Sequence, residues 1–102
     1  MAVVLLSYEY VGDILERRKP HREAHLAHVE RFAADGGLVV AGAVGDPVHG
    51  AVFVFEDDSD ATAVAERFAA GDPYALAGLV SGRRIEPWTV VSNSWVSRSD
   101  GR

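Results

Sequence analysis

At 102 residues the chain fits one domain core, so a two-domain enzyme with a separate cofactor-binding fold is not expected. Hydrophobic residues make up 48% and charged residues 25%, the balance of a globular domain rather than a disordered segment. A formal net charge of −5 argues against nucleic acid as a partner, and the absence of cysteine excludes disulfides, thiolate nucleophiles, zinc ribbons and iron–sulfur clusters.

The apolar run at the start, Ala2 to Leu6, is five residues long with no basic residue before it. It fits neither a signal peptide nor a membrane span, so a cytoplasmic protein with no membrane partner is expected. Residues 3–6 and the Tyr8/Tyr10 alternation predict a first strand ending at Val11-Gly12-Asp13. Pro20 interrupts the helical spacing that follows. This predicts a loop or short turn over 14–18 and a main helix from Pro20 to about Ala34, closed by Asp35-Gly36-Gly37. Ala24, Leu26, Ala27, Val29, Phe32 and Ala33 would form its buried stripe, with Arg22, Glu23, Glu30 and Arg31 in water.

Strands are predicted over 38–43 and 51–55, joined as a hairpin through Gly45-Asp46-Pro47 and His49-Gly50. Ser59 is the expected N-cap of a second helix whose buried side is Ala61, Val64, Ala65 and Phe68 and which stops at Gly71. Asp72-Pro73 restarts a short helical turn, and the last strand is predicted over 83–91. The order β-α-β-β-α-β is the ferredoxin-like arrangement, an α+β fold with a four-stranded antiparallel sheet and both helices on one face. Strands apolar on nearly every residue need cover on the second face as well, so a homodimer packing sheet against sheet is expected. Residues 93–102 read as a polar tail, in which Trp95 and Val96 could latch onto the partner subunit.

Three of the four histidines, His21, His25 and His28, stand at i, i+4 and i+7 and share a helix face. Neighbouring imidazoles at this spacing can take a metal, but no glutamate follows in the peptidase pattern and no third ligand is specified, so no metal is expected. His21 and His28 read as surface residues. His25 is set apart by its company, Arg22-Glu23-Ala24-His25-Leu26. The arginine could bind an anionic substrate one turn before an imidazole suited to moving protons near pH 7. A carboxylate would fix the tautomer of that ring and raise its basicity. Asp72 is the candidate, with a plain helix cap as the alternative.

Arg22-Glu23-Ala24-His25-Leu26, then Asp35-Gly36-Gly37-Leu38 leading into Ala41-Gly42, then Asp72-Pro73-Tyr74 and the late Glu86-Pro87-Trp88 resemble, in order and spacing, the YciI-like (YCII-related) family. The resemblance spans roughly residues 1–92. It implies a single ferredoxin-like domain that forms a dimeric α+β barrel. The implied pocket is centred on His25 and Asp72 as catalytic residues, with Arg22 and Tyr74 binding substrate. The implied activity is a cofactor-independent lyase or isomerase that moves a proton on a small hydroxylated or carbonyl-bearing ring compound. A non-catalytic ligand-binding or accessory dimer and a cofactor-free oxygenase are the alternatives. No G-x-G-x-x-G fingerprint or phosphate-binding lysine loop is present, so no cofactor is expected.

Overall fold

A computed structural model describes residues 2–93. Four strands, β1 (Ala2–Tyr10), β2 (Leu38–Val44), β3 (Gly50–Asp57) and β4 (Val80–Pro87), form one sheet in the order β2-β3-β1-β4, each pair antiparallel. Helices α1 (Ile14–Arg17) and α2 (Arg22–Asp35) connect β1 to β2, and α3 (Ala61–Gly71) and α4 (Pro73–Leu76) connect β3 to β4. This is the expected α+β, ferredoxin-like architecture.

Strand alternation decides where the core sits. Val4, Leu6, Tyr8 and Tyr10 of β1 and Ala51, Phe53 and Phe55 of β3 are buried on one face. There they meet Val64, Ala65, Phe68 and Ala69 of α3 and Tyr74 of α4. Phe68 is the hub, with its ring centroid 4.8 Å from Phe53, 5.5 Å from Phe55 and 5.2 Å from Phe32. The alternate residues Val3, Leu5, Val52 and Val54 are only partly buried and line the opposite face of the sheet.

Several local expectations change. Pro20 sits in a 3-10 turn, Lys19–His21, and α2 begins only at Arg22. The stripe of α2 is rotated from its apolar residues. Ala24, Leu26, Ala27 and Ala33 are exposed, while His25 and His28 are buried beside the partly buried Val29 and Phe32. A polar face can go inward when each buried nitrogen finds a partner, as these imidazoles do. The N-cap of α3 is Asp60, whose side chain accepts from Ala63 N–H, because Asp57 accepts from the backbone N–H and hydroxyl of Ser59. β4 starts at Val80, earlier than expected, because Gly78 adopts φ 77° just after α4 and turns the chain back at once. The expected contact through Trp95 and Val96 lies outside the described residues.

Candidate active site

The site forms where α3 ends and α4 begins. Asp72 lies between them in an extended conformation, and Pro73, with its fixed φ, opens the next helical turn. The side chain of Asp72 folds back as an N-cap, Oδ1 accepting from Tyr74 N–H at 3.0 Å. It is fully buried, so an ionised carboxylate here needs charge-assisted hydrogen bonds in place of water. It has three. Besides Tyr74 N–H, the Tyr8 hydroxyl donates to Oδ2 at 2.8 Å and His25 Nδ1 lies 2.7 Å from Oδ1.

With the carboxylate accepting, Nδ1 of His25 carries the proton and Nε2 is left as the basic nitrogen of the ring. The imidazole lies flat on the Tyr74 ring, centroids 3.7 Å apart and planes 3° from parallel, and Phe53 meets its edge at 6.5 Å. The ring is therefore held by two aromatic neighbours and by the Asp72 bond at Nδ1. Burial, and then the neighbouring Asp72 carboxylate, push the Tyr8 hydroxyl well above the usual tyrosine range, so it stays a donor.

His25 lines a cavity of about 360 Å³ between α2, the sheet and the β2–β3 hairpin. Its walls include the apolar side chains of Leu26, Val29, Val48 and Phe53 and the phenols of Tyr10 and Tyr74. Two guanidinium groups, Arg18 and Arg22, stand at the same cavity, and Arg22 Nη1 donates to the Tyr74 hydroxyl at 3.2 Å. No carboxylate lines it among the described residues. An anion, or an oxygen gaining negative charge, would be favoured here.

Of the four residues singled out in the sequence, Arg22, His25 and Tyr74 line one cavity, and Asp72 lies behind it, fully buried and bonded to His25 Nδ1. His21 is half-exposed, as expected. The surface reading of His28 is wrong: it is 5% exposed, with Nε2 2.9 Å from the carbonyl of Phe68 and Nδ1 3.3 Å from Arg31 Nη2. Both its ring nitrogens are engaged, which removes it from any metal site shared with its helix neighbours. Sequence reasoning missed Tyr8, Tyr10 and Arg18. The tyrosines carried a signal, since their alternation places both on the helix-facing side of β1. Arg18 carried none, because Pro20 hides its proximity to Arg22.

Residues 1–89 match the family model of the YCII-related domain. Among solved structures, the chain is similar to a 5-chloro-2-hydroxyhydroquinone dehydrochlorinase from Burkholderia phenoliruptrix AC1100 in complex with 2,5-dihydroxybenzoquinone. Identity is 24% over 85% of this chain and 93% of that one, with a TM-score of 0.69. A NIPSNAP family protein from Agrobacterium tumefaciens str. C58 is 15% identical, over 89% of this chain and 93% of that one, with a TM-score of 0.60. A dimeric ferredoxin-like protein from an uncultured marine organism is 19% identical, over 90% of each chain, with a TM-score of 0.52. At these identities the likeness is one of fold. No curated protein matches the chain.

Proposed function

This chain belongs to the YCII-related domain family, and we propose that it is a cofactor-independent acid–base enzyme, a lyase or isomerase acting on a small cyclic compound with hydroxyl or carbonyl groups. The observation that carries this reading is the 2.7 Å contact between His25 Nδ1 and Asp72 Oδ1 at the wall of the cavity. Nε2 takes a proton from the bound ring compound, and the imidazolium so formed is stabilised by the buried carboxylate behind it. The electron pair left on the substrate either shifts within the ring, with the proton returned at another position, or expels a leaving group as an anion. Negative charge developing on a substrate oxygen is met by Arg18 and Arg22. The structurally similar dehydrochlorinase, bound to a dihydroxybenzoquinone, supports a ring of this kind as substrate.

A second copy of the chain is proposed to cover the open face of the sheet. Val3, Leu5, Val40, Val52 and Val54 are partly exposed there, and Val3, Val40, Val54 and Val90 line a depression of about 250 Å³ with Trp88, itself 45% exposed. These apolar residues, bordered by Glu56, Arg84 and Glu86, form a patch on one side of a single-layered sheet, and such a patch favours association.

The test is to incubate the protein with hydroxylated quinols and enolisable ring ketones in deuterated water. Product formation and solvent-deuterium incorporation are followed by NMR. Turnover that vanishes in His25→Ala is the expected result. Compounds that bind to saturation without reacting or exchanging would instead identify a binding module.

A further inference from the structure

The acid–base reading leaves unused a second buried histidine, three residues along the same helix. His28 Nε2 lies 2.9 Å from the carbonyl oxygen of Phe68, so Nε2 carries the proton and donates. Nδ1 then accepts from Arg31 at 3.3 Å. This tautomer is opposite to that of His25. Phe68 belongs to the last turn of α3, whose terminal four carbonyls have no donor within the helix. Four residues later the chain reaches Asp72. The His28 ring is also wedged against Phe32 and Phe68, centroids 5.0 and 4.7 Å away, and a Cβ on Gly71 would come within 3.2 Å of its Cε1. Helix α2 therefore grips the α3–α4 junction at two points: His25 holds the carboxylate just past the end of α3, and His28 holds the carbonyl just before it.

We infer that His28 is a positioning residue that sets the distance between Asp72 and His25 by fixing the end of α3 through the Phe68 carbonyl. It touches neither the cavity nor a substrate. With the two grips one helical turn apart on α2, release of the Phe68 carbonyl frees the last turn of α3 to move, and Asp72 moves with it. His25 then loses the carboxylate that fixes its tautomer, although nothing at the cavity wall has been altered.

The inference rests on the proposed role of His25, but its test needs no substrate. In protein labelled with 15N-histidine, the low-field Nδ1 proton and ring nitrogen shifts of His25 report its bond to Asp72. His28→Gln places an amide N–H where Nε2 stood and can reach Phe68. His28→Asn places it where Nδ1 stood and cannot. The expected result is that the Gln variant keeps the His25 Nδ1 proton signal and the Asn variant loses it or broadens it through tautomer exchange. If the Asn chain does not fold, His28→Met, which fills the volume of the ring and removes the donor to the Phe68 carbonyl together with the acceptor for the exposed Arg31, takes its place with the same expected loss. A folded Asn or Met variant with an unchanged His25 signal overturns the inference, as does a folded Gln variant that loses it. Failure of the acid–base reading would show differently, as turnover that survives His25→Ala.

Discussion

His25 and Tyr74 share both a stacked face and a hydrogen-bond acceptor: their rings lie 3.7 Å apart, and the Tyr74 N–H and His25 Nδ1 both address Oδ1 of Asp72. The stack fixes the plane of the imidazole and the shared oxygen fixes its rotation about that plane. Tyr74→Phe keeps the stack and loses only the bond from Arg22, a part-buried contact of 3.2 Å worth about 0.5–1.5 kcal/mol. Its expected effect is a modest fall in kcat/KM, because the freed guanidinium meets the developing charge on the substrate oxygen less well. Tyr74→Leu removes the ring itself, so kcat should fall. Steady-state kinetics on one substrate separates the two.

Tyr8 and Tyr10 make stability sensitive to alkali. In both, burial is the main cause of a hydroxyl pKa raised well above the unfolded value, which is about 10, and the Asp72 carboxylate adds to it. Above that value the unfolded chain gives up protons that the folded chain keeps. Stability is therefore full below about pH 10 and falls as pH rises, with a slope of at most about 1.4 kcal/mol per pH unit for each tyrosine. Urea unfolding between pH 8 and 11 should show this slope, and Tyr10→Phe should reduce it. Tyr8→Phe should reduce it too, while costing about 1–3 kcal/mol at neutral pH because Asp72 Oδ2 loses its donor.

Alternation in β1 and β3, the glycine stops after α2 and at Gly71, and the Asp-Pro restart of α4 are local signals, and they placed the sheet, its connections and Asp72. The buried face of α2 was not legible in the same way. Leu26 is 44% exposed while His25 and His28 are buried, because the partners that make burial of an imidazole favourable, Asp72 and the Phe68 carbonyl, come from a distant helix junction. The alternation of β1 gave the face of Tyr8 but not its role, which depends on the bond from its hydroxyl to Asp72 across the fold. Ser59 was displaced as a cap by a competitor two residues away, the Asp57 carboxylate, which hydrogen bonds hold below its usual pKa.

The open sheet face should control assembly. Val54 stands near its centre, between Leu5 and Val40 in the registers of β3 with β1 and β2. Val54→Glu would place a charge in any interface there, whereas the opposite face, with the site, is untouched. Sedimentation should show a dimer for the native chain at micromolar concentration and a monomer for the variant. A native monomer would remove the dimer proposal.

A metal chelator is expected to leave melting temperature and turnover unchanged. His25 directs Nδ1 to Asp72 and His28 has both nitrogens engaged, so the three-histidine face does not present a joint ligand set. Stoichiometric zinc or iron in the purified protein, lost together with activity, would contradict this.

The sharpest comparison is between His25→Ala and Asp72→Asn. Removing the imidazole removes the base, for which a loss of about 10²–10⁴-fold in rate is typical. Asparagine at 72 keeps much of this geometry. Its carbonyl oxygen is held at the Oδ1 position by Tyr74 N–H and can still accept from His25 Nδ1, while its amide takes the Oδ2 position, where the Tyr8 hydroxyl can turn to accept. The tautomer and the helix cap are then retained, and only the negative charge behind the imidazole is lost. The Asp72→Asn chain should therefore fold and dimerise as the native chain does and bind substrate with little change in KM, yet turn over far more slowly, because the imidazolium formed in the transition state is no longer neutralised. His21→Ala, at a half-exposed position away from the cavity lining, serves as the comparison and should retain native rates. Stopped-flow single-turnover rates for the three variants, with melting curves beside them, decide the matter. A fully active Asp72→Asn protein would reduce Asp72 to a helix cap, and a fully active His25→Ala protein would end the acid–base assignment.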